Sequence, residues 1–193
     1  MMPVHQPQSM SSFTIQDHRL VGAGVEYKAS PHYDERPLLT PIDLLVIHNI
    51  SLPPREFGAS FIEELFLAKL NPDAHPYFAQ IAHLRVSAHV LIRRDGGIMQ
   101  FVPFHQRAWH AGASHHDGRD QCNDFSIGIE LEGADDIPYT DVQYHALQVI
   151  TQQLLETYPQ ITKERIVGHE DIAPGRKTDP GPAFDWTRYL AGL

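Results

Sequence analysis

The apolar run Leu44-Leu45-Val46-Ile47 is short, bounded by Pro41 and Asn49, and polar in neither alternate position, the pattern of a strand buried on both faces. Its last apolar residue leads into His48-Asn49. Beyond a loop containing Pro53, Pro54 and Gly58, the residues Phe61, Ile62, Leu65, Phe66 and Leu70 recur at helical spacing, and Ser60 with Glu63 has the form of a capping box. A helix over 60–70 follows, ended by Asn71-Pro72-Asp73. Val90-Leu91-Ile92 and Ile98-Met99-Gln100-Phe101-Val102 flank Arg94-Asp95-Gly96-Gly97, whose glycines tolerate the positive φ of a tight turn, so these runs predict an antiparallel hairpin.

Residues 105–124 show no periodicity and predict a long loop, of the length that tends to carry function. Phe125 to Gly133 then alternates strictly. Ile127, Ile129 and Leu131 share one face of a strand, while Gly128, Glu130 and Glu132 share the other. Thr140 with Gln143 forms a second capping box, opening a helix over 141–157 marked by Val142, Leu147, Ile150 and Leu154 and stopped by Pro159. Arg165-Ile166-Val167 is a short strand, and Pro182 is placed as a first-turn residue of a closing helix over 184–190.

At 193 residues the chain accommodates one domain with a proper core. Residues 1–29, with Pro3, Pro7 and few large apolar groups, predict a partly disordered N-terminal arm that starts poorly ordered and then crosses the surface, which leaves 30–193 as the domain. The net charge of −9 argues against a nucleic-acid binder, since phosphate binding needs a basic surface. Cys122 is the single cysteine, so no intrachain disulfide can form. With no signal-peptide pattern and no apolar stretch of membrane-spanning length, a cytoplasmic protein without membrane partners is expected.

Chemistry concentrates in Gly168 to Gly181, too rich in glycine and proline to read as a helix or a strand. His169, Asp179 ten residues later and the strand-end His48 have the makings of a three-ligand zinc site with its fourth position open to water. Spacing alone leaves the bland readings open. Among 13 histidines, His48 also fits a satisfied buried imidazole, and Asp179 a turn-former before Pro180. Periodicity cannot choose between Glu130 and Glu132.

The motifs Ile47-His48-Asn49-Ile50-Ser51-Leu52-Pro53-Pro54, His75-Pro76-Tyr77-Phe78, Val86-Ser87-Ala88-His89, Arg107-Ala108-Trp109-His110-Ala111-Gly112, Ile127 to Gly133 and Gly168 to Gly181 follow one another in an order that resembles the AmpD-type N-acetylmuramoyl-L-alanine amidases. The likeness runs from about Val21 to the C-terminus. It implies an α/β (α+β) fold, a central mixed sheet flanked by helices that is shared with peptidoglycan-recognition proteins. It implies one Zn2+ per chain held by His48, His169 and Asp179, Glu130 rather than Glu132 as the catalytic carboxylate, and Lys177 as the active-site lysine.

For substrate, the resemblance implies a small muropeptide, cut between the lactyl group of (1,6-anhydro)-N-acetylmuramic acid and L-alanine in peptidoglycan recycling. The guanidinium of Arg85 suits a stem-peptide carboxylate. Trp109 and His110 are placed on the sugar side, with core packing the alternative for Trp109. Asn49 either reaches substrate or only terminates its strand. Some members of the family carry a basic residue where this chain has Gln121. A monomer is expected. A non-catalytic muropeptide receptor and an amidase of intact wall are the rival readings; the complete set of five catalytic and ligand residues favours an enzyme over the receptor, and the lack of a signal-peptide pattern and of a wall-binding repeat argues against the wall amidase.

Overall fold

Residues 13–193 are described in the computed structural model, and the first of them already belong to the fold. Phe13–Gln16 (β1) and Arg19–Gly22 (β2) form an antiparallel hairpin. Val25–Tyr27 (β3) then pairs in parallel along the edge of the main sheet. The expectation is a partly disordered arm that starts poorly ordered and then crosses the surface; from residue 13 it is paired strand, and residues 1–12 of it lie outside the described residues. The misreading has a physical cause. Only Phe13 and Leu20 of this segment are buried large groups, a signal too sparse to stand out, yet both enter the main core.

After Tyr33–Asp34 (β4) comes Leu44–Ile50 (β5), the expected buried strand, which runs on through His48 and Asn49. Phe61–Phe66 (α1) and Phe78–Ile81 (α2) are short helices. α1 ends at Leu67, ahead of Ala68, whose φ of 57° breaks the helix, so it stops short of the expected residue 70. Its capping box does not form. Ser60 donates to Glu64 at 2.6 Å, and Glu63 turns instead to Lys28 at 2.8 Å and to Arg93, partners that local sequence cannot reveal.

Val90–Ile92 (β6) and Ile98–Gln100 (β7) make the expected hairpin. The stretch 105–124, expected as a loop, holds three two-residue strands: Arg107–Ala108 (β8), which pairs β4, and His115–His116 (β9) with Arg119–Asp120 (β10). Ser126–Glu132 (β11) follows and is buried at all seven positions. Asp141–Thr157 (α3) starts on the predicted Thr140–Gln143 capping box. Val142 in it is 46% exposed and not part of the buried face. The neighbouring Gln143 is buried instead, donating to the carbonyls of Ile92 and Glu132.

Ile166–Gly168 (β12) leads directly into His169–Ile172 (α4), a single helical turn where a loop was expected. Trp186–Ala191 (α5) closes the chain. It begins later than expected because Asp185, not Pro182, opens it: the Asp185 carboxylate accepts from the Arg188 N–H at 2.9 Å. The main sheet has six strands in the order β12-β5-β11-β6-β7-β3. β12, β5, β11 and β6 are parallel neighbours, and β7 is antiparallel to β6, so the sheet is mixed and flanked by helices.

Alternation divides the core. Leu45, Ile47, Ile127, Ile129 and Leu131 face α3, where they meet Leu147, Ile150 and Leu154. On the hairpin, Leu91 and Met99 face the other way, against Ile62, Leu65 and Phe66 of α1 and Phe78 of α2. β5 and β11 also turn His48, Ser126, Gly128, Glu130 and Glu132 away from α3. Polar chemistry thus gathers on the face opposite the long helix.

Phe13→Ala tests whether the N-terminal hairpin belongs to the fold. Truncating this 4%-exposed ring should cost about 3–5 kcal/mol in urea unfolding. A loss below about 1 kcal/mol would show that the hairpin is not part of the cooperative unit.

Candidate metal centre and cleft

The parallel register places Glu130 directly beside His48 on adjacent strands. β12 pairs Gly168 with Ile47, so the next residue, His169, leaves its strand level with His48. A turn-rich return then delivers Asp179. The Asp179 carbonyl accepts from the Glu170 N–H at 3.0 Å, and the Pro180 carbonyl accepts from the Asn49 side chain at 3.1 Å and the Tyr139 hydroxyl at 2.8 Å. The carboxyl ends of three parallel strands thereby converge on one point, as is usual for sites on α/β sheets.

At that point His48 Nδ1 lies 3.0 Å from His169 Nδ1 and 3.0 Å from Asp179 Oδ2, and His169 Nδ1 lies 3.1 Å from the same oxygen. Two ligands of a tetrahedral zinc with bonds of about 2.0–2.1 Å stand about 3.3–3.4 Å apart, so the triangle is close to the size that the ion requires. Donor chemistry agrees. Ala111's carbonyl, which only accepts, lies 3.0 Å from His169 Nε2 and leaves Nδ1 as a bare lone pair pointing at His48 Nδ1. A cation between the rings relieves that opposition. The two imidazoles and one carboxylate would therefore fit a metal ion such as zinc, with His169 and Asp179 on the wall of the cleft.

Charge follows burial. Burial pulls the His48 imidazole down to about 4, partly offset by the adjacent Asp179 carboxylate. For Asp179, burial opposes ionisation, but the adjacent His169 and His48 outweigh it and hold the carboxyl well below the usual range. Glu130 is 8% exposed, and its Oε2 is buried without a protein partner. Burial, and next the charge of Asp179, raise its carboxyl well above the usual range, with Lys177 partly offsetting the rise. Glu132, on the same face, differs: it accepts from the N–H groups of Gly58 at 2.6 Å and Arg94 at 3.0 Å and is committed to holding loops.

A cleft of about 350 Å³ opens over these groups, lined by Glu130, Lys177, Asp179 and His169 together with apolar side chains such as Leu52, Ile81 and Leu84. Tyr77 lines it too, a residue within a quoted motif to which sequence reading gave no role. Trp109 forms part of the wall: its indole N–H donates to Asp34 at 3.0 Å, His32 stacks on it at 6.1 Å and the exposed Arg85 guanidinium lies 4.9 Å from it. Asn49 lines the cleft, but its amide nitrogen is spent on Asp135 at 2.8 Å and on Pro180. His115 and His116 stay with the β9–β10 hairpin, where His115 contacts Asp120, and do not join the triad.

His110 also borders the cleft, though both ring nitrogens are engaged behind it, Nδ1 with His48 Nε2 at 2.9 Å and Nε2 with Ser126 Oγ at 3.1 Å. The ring sits over Gly128. A Cβ built there would lie 2.4 Å from it, which is why this strand position carries glycine. Beneath, His89 Nδ1 accepts from the Gly128 N–H at 3.0 Å.

A family model described as N-acetylmuramoyl-L-alanine amidase (Amidase_2) matches residues 38–182. The 1,6-anhydro-N-acetylmuramyl-L-alanine amidase AmpD of Escherichia coli K12 is 61% identical over 166 residues, 86% of this chain and 90% of that one. A crystal structure of a selenomethionine AmpD derivative superposes with a TM-score of 0.89 at 57% identity, covering 93% of this chain and 98% of that one. AmpDh3 of Pseudomonas aeruginosa, in complex with anhydromuramic pentapeptide, gives a TM-score of 0.62 at 30% identity over 86% of this chain and 63% of that one.

The buried layer under the site sets a pH dependence. Burial, and next the Arg36 charge, pull the His89 imidazole down to about 3, whereas an unfolded chain titrates near 6.5. The unfolded state therefore binds the extra proton between these values. Stability should be complete above about pH 6.5 and fall as pH drops from there towards 3, by at most about 1.4 kcal/mol per unit from this residue. Urea midpoints between pH 7 and 4 should fall less steeply for His89→Asn than for the wild type, and equal slopes would remove His89 as the source.

Proposed function

Since this chain belongs to the N-acetylmuramoyl-L-alanine amidase family, we propose that it hydrolyses the amide bond between the lactyl group of 1,6-anhydro-N-acetylmuramic acid and the L-alanine of a muropeptide, releasing the stem peptide. One observation carries the reading: a triangle of three donor atoms 3.0–3.1 Å apart stands beside a buried carboxylate without a partner, on the wall of a cleft. His48, His169 and Asp179 would hold one Zn2+ per chain. When bound, zinc polarises a carbonyl and lowers the pKa of a water to about 7.

The chain's own residues do the rest. Glu130, with Oε2 free and a raised proton affinity, takes a proton from the attacking water and gives it to the leaving L-alanine nitrogen as the C–N bond breaks. The Lys177 ammonium, on the same cleft, stabilises the oxyanion that develops on the lactyl carbonyl. Arg85 offers its fork to a stem-peptide carboxylate, and Trp109 gives the sugar a flat wall. With its amide nitrogen spent, Asn49 has only its carbonyl oxygen for substrate. His110 serves from behind the ligand His48 and not through a polar contact to the sugar.

The scheme needs no group from a second copy, and a monomer remains the proposed state. Recycling in the cytoplasm is supported by the AmpD relatives, by the single cysteine and by the absence, among the described residues, of any helix long and apolar enough to cross a membrane.

Metal content measured together with hydrolysis of anhydro-MurNAc-tripeptide, before and after chelation and return of zinc, tests the proposal. One zinc per chain and activity that follows the metal are expected. His169→Ala and Asp179→Ala should lose both, whereas Glu130→Ala should retain zinc and lose about 10²–10⁴-fold in rate. A Glu130→Ala enzyme of near-normal rate would remove Glu130 as the base. Zinc without any hydrolysis would favour a receptor, and equal activity on intact sacculi would overturn the recycling substrate.

A further inference from the structure

An imidazole binds a metal only through a nitrogen that carries no proton, and the hydrogen bond at the other nitrogen decides which one that is. His169 Nε2 lies 3.0 Å from the Ala111 carbonyl, an acceptor that calls for a proton on that nitrogen; the carbonyl also accepts from Arg176 at 2.7 Å, whose guanidinium nitrogen stands at the longer distance of 3.4 Å from Nε2. His48 faces His110 Nδ1 through Nε2, and the run continues from His110 Nε2 to Ser126 Oγ, a hydroxyl able to accept. With protons on both Nε2 atoms, both Nδ1 lone pairs are bare and meet Asp179 Oδ2. The acceptors that enforce this state are neighbours in sequence, the side chain of residue 110 and the carbonyl of residue 111.

Neither residue lies in a helix or a strand. One atom binds both of their backbone N–H groups. Asn123 Oδ1 accepts from the His110 N–H at 3.1 Å and from the Ala111 N–H at 2.8 Å. Asn123 itself sits in the 3-10 turn Cys122–Asp124 ahead of β11, and its own carbonyl accepts from Arg36 at 3.0 Å. The Arg36 guanidinium is tied further to the carbonyls of Asp124, Phe104 and Ser126, so the clamp is anchored in the body of the fold.

We propose that Asn123 is the positioning residue of the metal centre: by clamping the His110 and Ala111 N–H groups with one amide oxygen, it fixes both acceptors that hold His48 and His169 in the metal-ready tautomer. It is not among the three donors and does not line the cleft. The inference rests on the zinc reading above.

Zinc affinity by competition with a chromophoric chelator, and the visible spectrum of the cobalt-substituted protein, test it. Asn123→Leu keeps the bulk and removes the acceptor, and should bind zinc about 10–100-fold more weakly with an altered cobalt spectrum; Asn123→Asp keeps the acceptor and should stay within about threefold of wild type. Should Asn123→Leu not fold, Asn123→Ser, whose shorter hydroxyl can serve only one N–H, takes its place with an intermediate loss of affinity. Imidazole proton–nitrogen correlation spectra of metal-free wild type should place the protons of His48 and His169 on Nε2. Wild-type affinity and cobalt spectrum in Asn123→Leu or Asn123→Ser, a loss in Asn123→Asp as large as in Asn123→Leu, or an Nδ1–H tautomer in either ligand overturns the proposal. If wild type itself binds no zinc, the zinc reading fails first.

Discussion

The register between Leu44–Ile50 and Ser126–Glu132 is the constraint on which the rest depends. Slipping either strand by one residue would turn His48 or Glu130 from the cleft face into the apolar layer against α3. Such a slip would bury an unpaired polar group and expose an isoleucine, so hydrophobic burial fixes the catalytic geometry as a by-product. β12 is then fixed by pairing with β5, and with it His169. Precision at the site is inherited from the sheet, a rigid element that gives more accurate placement than loops alone.

Burying polar chemistry in this way requires partners for nearly every group. His89 bridges the Gly128 N–H and the Gln106 carbonyl, Glu132 accepts from two backbone N–H groups, and four carbonyl oxygens accept from the Arg36 guanidinium. Loss of one partner from such a layer leaves the other with a desolvation penalty of about 1–3 kcal/mol. Guanidinium nitrogens of Arg36, Arg94 and Arg165 are also buried without a partner, but among the described residues Glu130 Oε2 is the one such carboxylate oxygen.

Much of the framework was legible in the sequence because local signals and tertiary demand agreed. The run Leu44–Ile47, the Asp95-Gly96-Gly97 turn and the Thr140–Gln143 capping box each specify an element without help from elsewhere. Signals failed where a distant partner intervened, as when Lys28 and Arg93 drew Glu63 out of its capping box. β3 was invisible because three residues on a sheet edge have no period of their own. In the site, His48, His169 and Asp179 stood out by residue type but gained roles through family resemblance, not through spacing. Alternation alone left Glu130 and Glu132 equal, and only their neighbours separate them. Gly128 and Asn123 carried no signal, since one serves by lacking a side chain and the other by binding backbone.

The order in which the donors occur along the chain bears on biosynthesis. His48 emerges from the ribosome early, while His169 and Asp179 follow more than a hundred residues later. Until then β5 has an open edge where β12 belongs, and parallel pairing over such separations closes slowly. A nascent chain lacking residues up to Asp179 presents one imidazole and a bare strand edge, a species for chaperones to shield and one that cannot yet compete for cellular metal.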